Sequence, residues 1–220
     1  MNDSHAFADA PVAPRLSLVV KAALCVVGPF HPKYGLWLRC VRAWDSFGKR
    51  ATLSEHVRLG PNARCVNLAE DRSRIVLEGR VLCRGVLRLE NVEGSRILIH
   101  PEVYIGDNCL LSCANHIEIG AHTLLAHSVE VFDNNSHPVN WEERAADWQA
   151  RMAGDGEIKG SVPSAPVHIG EHCWIGAHTL IFKGVTIGDK SVIAAGSVVT
   201  HDIPAGVLAG GNPARVIRTL

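Results

Sequence analysis

The chain has 220 residues, 47% of them hydrophobic and 20% charged, which is enough for one domain with a substantial core. Its 22 basic and 22 acidic side chains cancel, excluding the broad field that recruits nucleic acid or acidic surfaces. Seven cysteines with no C-x-x-C pair exclude a paired zinc framework and point to small buried side chains in a reducing, cytoplasmic setting.

The stretch from Leu16 to Phe30 is apolar, but Lys21 interrupts it and Gly28-Pro29 ends it. It is shorter than the roughly 20 residues that a spanning helix needs. Arg15 adjoins the apolar run and no small-residue cleavage site comes after it, which argues against a secretory signal. Leu16, Val19, Val20, Ala23, Leu24 and Val27 fall at helical spacing. Tyr34, Trp37, Leu38, Val41 and Trp44 predict a second helix, with Arg39 and Arg42 between them. Residues 1–50 therefore read as a helical segment with two possible roles. It caps the open strand edges of the domain that begins at residue 51, or residues 16–47 make peripheral contact with a membrane interface.

From residue 51 the pattern changes to a period of six. Ile169, Ile175, Ile181, Ile187, Ile193 and Val199 are six apart, often followed by glycine or alanine. Two residues before each stands Val167, Cys173, Thr179, Val185, Ser191 or Ser197. The frame runs upstream through Ile99, Ile105 and Leu111, and reappears at Ile119, Leu125 and Val131 after a two-residue slip. Weaker traces are Leu53, Leu59 and Cys65, then Ile75, Val81 and Leu87. Neither a helix of period 3.6 nor a plain strand of period 2 explains six. A strand and a tight corner on every face of a solenoid does. The aliphatic residue points inward, the small one fits the corner, and glycine relaxes the turn. The period fails completely from Pro138 to Pro166. A loop of that length inside a compact domain is usually functional, and with Trp141 and Trp148 it reads as partly helical. The domain boundaries are thus 51–205 for the solenoid, with the insertion at 138–166, and 206–220 for a C-terminal tail.

The segment HIGEHCWIGAHTLIFKGVTIGDKSVIAAGSVVTHDIPAGVLAGGNPARVIR, from His168 to Arg218, resembles the hexapeptide-repeat acetyltransferases. Nearest are the maltose, galactoside and polysaccharide O-acetyltransferases. VEVFDNNSHP, from Val129 to Pro138, is similar to their segment ending in the catalytic histidine. The resemblance covers residues 97–220 and fades upstream. It implies an all-β fold, a left-handed parallel β-helix with three hexapeptides per coil. It also implies a homotrimer, with acetyl-CoA in a groove between neighbouring subunits.

For O-acetylation a base must remove the acceptor's hydroxyl proton, and histidine, with an ordinary pKa of ~6.5, suits this. His137 matches the family's catalytic position. Asp133 and Asn135 either orient the acceptor or the imidazole, or build a corner turn, which Asp and Asn favour. Ser112 stands where the sugar acetyltransferases place an acceptor-binding asparagine, which puts the acceptor in doubt more than the reaction. On the donor side, the resemblance places Trp174 beside the pantetheine arm and the backbone N–H groups of Ala177 and Ala195 on its amides. Thr200 falls at the adenine end, with His201 where a lysine is usual. Arg215 and Arg218 fall at the phosphates, where a guanidinium fork is apt. Lys183 either helps there or simply faces solvent. Cys109 and Cys173 fill inward slots, so no acyl-enzyme nucleophile is expected and transfer is direct.

The expected function is acetyl-CoA-dependent O-acetylation of a sugar or glycan hydroxyl, with no metal. Alternatives are N-acetylation of a nucleotide amino sugar, an antibiotic acetyltransferase, or a non-enzymatic β-helix scaffold. A zinc carbonic anhydrase of the same fold is another, with His122, His127 and His116 as ligands.

Overall fold

The computed structural model describes residues 34–154 and 162–220; the first expected helix lies outside them. From Thr52 the chain winds through six coils, each giving one short strand to each of three faces. The first coil holds β1 (Thr52–Leu53), β2 (Arg58–Leu59) and β3 (Arg64–Asn67), and the second β4 (Ile75–Leu77), β5 (Val81–Cys83) and β6 (Val86–Leu89). The third holds β7 (Arg96–Ile99), β8 (Val103–Ile105) and β9 (Leu110–Cys113), and the fourth β10 (His116–Ile119), β11 (Leu124–Leu125) and β12 (Glu130–Phe132). The last two hold β13 (Val167–Ile169), β14 (Trp174–Ile175) and β15 (Leu180–Ile181), then β16 (Thr186–Ile187), β17 (Val192–Ile193) and β18 (Val198–Val199). Every third strand pairs in parallel, giving a first face β1-β4-β7-β10-β13-β16, a second face that starts at β2 and a third that starts at β3. The architecture is a left-handed parallel β-helix.

The hexapeptide frame fills its interior. Ile99, Ile119, Ile169 and Ile187 stack in register on the first face and are at most 2% exposed. The preceding slots are equally buried, at 0–1% for Val167, Cys173, Thr179, Val185, Ser191 and Ser197. Their hydroxyls are satisfied locally: Thr179 Oγ1 donates to the Gly176 carbonyl at 2.7 Å, and Ser197 Oγ to Ala194 at 2.6 Å. The upstream frame needs one correction. Leu77 and Cys83, not Ile75 and Val81, align with Ile99 and Ile105. Ile75 and Val81 occupy the corner slots two residues earlier, and the loops that lengthen the early coils hide this shift.

The glycines also serve another purpose than expected. At Gly120 and Gly176 the backbone is not left-handed; an added Cβ would lie 2.6 Å from Gly170 carbon and 2.5 Å from Ala195 nitrogen in the next coil. Close approach excludes a side chain there. The left-handed corner positions are filled by Gly184 and Gly196 and by residues such as Asn108, His122, His172 and Lys190.

The helix α1 (Tyr34–Arg50) lies against the first coil. Its buried face is Cys40, Ala43 and Phe47 rather than the expected Trp37, Leu38 and Val41, which are half-buried. Ser46 Oγ accepts from the Cys65 N–H at 3.2 Å, and Asn67 Nδ2 donates to the Arg50 carbonyl at 2.8 Å. The first bond satisfies a backbone group at the outer strand edge, which would otherwise template aggregation, and the second satisfies a carbonyl at the C-terminal end of α1. No helix among the described residues is long and apolar enough to cross a membrane. The insertion contains α2 (Trp141–Met152). After β18, residues 207–219 form a hairpin, β19 (Val207–Gly211) and β20 (Ala214–Thr219), that extends the second face through β17. The expected tail is therefore part of the sheet.

Candidate active site

His137 comes after β12, where the insertion leaves the corner between the third and first faces. Its side chain is 53% exposed, yet Nδ1 lies 3.0 Å from Asp147 Oδ2, and Asp147 is 1% exposed. Arg151 Nε donates to the same oxygen at 3.0 Å. The carboxylate can only accept here, so the neutral form of the imidazole carries its proton on Nδ1 and leaves Nε2 free to accept one. That is the tautomer a general base requires. Asp147 is held by α2, whose start is fixed by its cap: Asn140 Oδ1 accepts from the N–H groups of Glu142 and Glu143 at 2.8 and 3.1 Å. Glu142 and Glu143 in the first turn and Arg151 in the last complement the helix dipole. Arg144 ties the helix back to His137's own loop by donating to the carbonyls of Pro138 and Val139 at 3.0 and 2.9 Å.

Asp133 and Ser112 are buried. Asp133 Oδ1 and Oδ2 accept from the Ala114 and Asn115 N–H groups, both at 2.7 Å. Asn134 Nδ2 donates to the Ser112 carbonyl at 3.1 Å, and its Oδ1 takes the Ser136 N–H at 2.8 Å. These bonds build the corner under His137; of the two roles expected for Asp133 they show the corner one, and Ser112 enters the corner through its backbone carbonyl. Asn135 is half-exposed, and its carbonyl accepts the His137 N–H at 2.7 Å. Beyond His137, α2 carries Trp141 and Trp148 at 68% and 59% exposure.

The donor residues stand elsewhere on the prism. Trp174 projects from the second face, 55% exposed, beside Leu124 and Val192 in register. Ala177 and Ala195 occupy the corner between the second and third faces, one coil apart. Among the described residues neither N–H has a backbone acceptor. A groove of about 760 Å³ runs along Trp174, Leu124, Tyr104, Ala126 and His127. Lys183 is half-buried and lies, with exposed Thr200 and His201, on the same corner as His137. Thr200 Oγ1 and His201 Nδ1 are 2.9 Å apart. Arg215 and Arg218 are exposed on β20. One chain thus does not bring His137 and Trp174 together: they occupy different edges.

Cys40, Cys65, Cys83, Cys109, Cys113 and Cys173 are all buried, free thiols. Burial pushes Cys65 and Cys83 up to about 12 and Cys109 to about 11, which suppresses the thiolate that a nucleophile needs. Nor do His116, His122 and His127 form a set. His122 stacks on His172 with centroids 4.6 Å apart, and His127 meets His178 edge-on at 5.1 Å. These two lie beyond opposite ends of β11, whereas His116 is on β10. Within one chain the three histidines suggested by the carbonic anhydrase spacing do not gather at one point.

Residues 166–201 match the family model described as hexapeptide repeat of succinyl-transferase. Over 127 residues, 58% of this chain, the sequence is 40% identical to galactoside O-acetyltransferase of Escherichia coli K12, covering 56% of that protein. It is 37% identical over 127 residues to the Saccharomyces cerevisiae protein YJL218W, covering 58% of each chain. The chain spans little more than half the length of the curated relatives it matches. AntD, an N-acyltransferase from Bacillus cereus solved with dTDP and 3-hydroxybutyryl-CoA, shares the fold. The TM-score is 0.58 at 17% identity, covering 83% of this chain and 86% of that one. The segment from His168 to Arg218 is thus similar in sequence to hexapeptide-repeat acetyltransferases, and AntD shows the shared fold alone.

Proposed function

We propose that this chain transfers an acetyl group from acetyl-CoA to a hydroxyl of a sugar or glycan, with His137 as general base. The observation that carries the proposal is the His137–Asp147 pair, an exposed imidazole whose tautomer is set by a buried carboxylate. Nε2 takes the hydroxyl proton as the acceptor oxygen bonds to the thioester carbonyl carbon. The tetrahedral species then breaks its C–S bond, and the departing sulfur takes the proton from the imidazolium. Asp147 stabilises that imidazolium while it exists, as the orienting carboxylate of a triad does. The raised thiols of the buried cysteines favour this direct route over an acyl-enzyme.

On the donor side, Trp174 lines the pantetheine arm, and the N–H groups of Ala177 and Ala195 bond its amides. Arg215, Arg218 and Lys183 meet the phosphates, with Thr200 and His201 at the nucleotide end. Because His137 and Trp174 occupy different edges, a complete site needs two chains, which is the reason to propose a homotrimer with the donor groove between neighbours. Asn135 and the exposed Trp141 and Trp148 remain to meet the acceptor; indole faces give broad apolar contact to a ring while leaving a polar edge free.

The test is a screen of free, nucleotide-linked and lipid-linked sugars with acetyl-CoA and thiol detection. Hydroxylamine treatment of the product separates an ester, which is cleaved, from an amide, which survives. His137→Ala is expected to lower kcat/KM at least ~100-fold. Full activity of the folded variant would remove His137 from the reaction.

A further inference from the structure

We propose that His116, Glu118 and His168, on the outer surface of the first face, bind a divalent transition-metal ion, with zinc the best fit. Register assembles the site. Glu118 on β10 lies beside His168 on β13, and His116, two residues before Glu118, points to the same side of the sheet. One ligand atom from each residue falls within 4.8 Å of the other two. Glu118 Oε2 is 3.5 Å from His116 Nε2 and 3.3 Å from His168 Nδ1. A tetrahedral zinc with bonds of about 2.0–2.1 Å has ligand–ligand edges of about 3.3 Å, so two edges are already at their bound length.

The surroundings are those of a supported site. The other carboxylate oxygen of Glu118, Oε1, is 2.8 Å from His100 Nε2, and His100 Nδ1 is 3.1 Å from Glu78 Oε2. This relay of contacts fixes the Glu118 carboxylate so that Oε2 faces the two imidazoles, the way outer partners orient metal-binding side chains. A groove of about 390 Å³, lined by His100, Glu118, His168, Glu171 and Asp189, opens beside it and leaves room for a water in the fourth position. Imidazole with one carboxylate suits zinc better than it suits magnesium or calcium, which prefer oxygen alone. The ion would join strands that neighbour in the sheet but are separated in the chain by the whole insertion. It would clip the coil before α2 to the coil after it.

The site is independent of acetyl transfer and is read by binding alone. Untagged, chelator-stripped full-length chain is titrated with zinc chloride by calorimetry, and with cobalt(II) by its visible d–d absorption. One ion per chain is expected, with a tetrahedral cobalt spectrum. His116→Ala and His168→Ala should each weaken binding at least ~10-fold, and His100→Ala should weaken it by roughly 10- to 100-fold. Circular dichroism checks that each variant is folded, with His168→Asn as the substitute where alanine is not tolerated. His122→Ala/His172→Ala, which removes the stacked pair, should leave binding unchanged. Equal stoichiometry and affinity in wild type and His116→Ala/His168→Ala, or no binding by wild type at millimolar zinc, would overturn the proposal.

Discussion

Asp147 shares one carboxylate oxygen between His137 and Arg151 while remaining 1% exposed. In the proposed reaction it is a positioning residue, since it would act only through the imidazole. Asp147→Asn keeps the shape but can present an N–H where Nδ1–H needs an acceptor, so the wrong tautomer becomes available. We expect kcat to fall by roughly 10- to 100-fold, less than the ~100- to 10,000-fold that a general base itself contributes. KM for acetyl-CoA should be unchanged because Asp147 does not line the groove beside Trp174. A matched rise in KM would instead mean that α2 had moved. His137 stood out as a candidate because VEVFDNNSHP resembles a family motif. Asp147 did not, because it lies in a stretch with no motif and reaches His137 only after Asn140 starts a helix. The His116–Glu118–His168 group was hidden for a related reason: its members meet through sheet register across the insertion. Asp133 shows the opposite case. Residue type alone allows it acceptor contact or a corner role, and two short bonds from backbone N–H groups assign it to the corner.

At the scale of elements, the period of six marked a solenoid, because each face repeats the same inward aliphatic and small corner slot, while three faces per coil came from the resemblance. What the period missed were places where loops of unequal length reset the frame. Ile169 to Ile187 takes 18 residues, whereas Leu53 to Leu77 takes 24, so the frame drawn through Ile75 and Val81 is two residues early. The terminal helix was legible as a helix but not in its orientation, since Trp37, Leu38 and Val41 outweigh Cys40, Ala43 and Phe47 in hydrophobicity. Packing on the first coil favours the face whose small residues allow close approach. Phe47 is the anchor of that contact, fully buried at 0%. Phe47→Ala should cost about 3–5 kcal/mol, read as a lower urea midpoint with an unchanged slope. A loss below about 1 kcal/mol would mean that α1 covers the coil without holding it.

For the whole molecule, the outward positions of the second face form a continuous apolar ladder. Leu82, Tyr104, Leu124, Trp174, Val192 and Leu208 stand in register across six strands. Leu124 and Trp174 are about half exposed, at 47% and 55%, in a groove with room for more than solvent. A monomer gains nothing from that surface, and a single chain separates His137 from Trp174. The proposed trimer accounts for both, with another copy's edge packed beside this face and supplying the histidine. Light scattering should then give three times the 23.8 kDa chain mass. Leu124→Glu places a charge in the middle of the ladder, where burial without a partner is costly, and it should lower the mass to one chain. Acetyl transfer should disappear in the same variant although His137, Asp147 and Trp174 are untouched. Mixing folded His137→Ala chains with folded Trp174→Ala chains and allowing them to exchange should restore part of the activity, because some interfaces then hold one intact copy of each edge. Activity that persists in the monomeric variant, or no recovery after demonstrated exchange, would place both halves of the site within one chain.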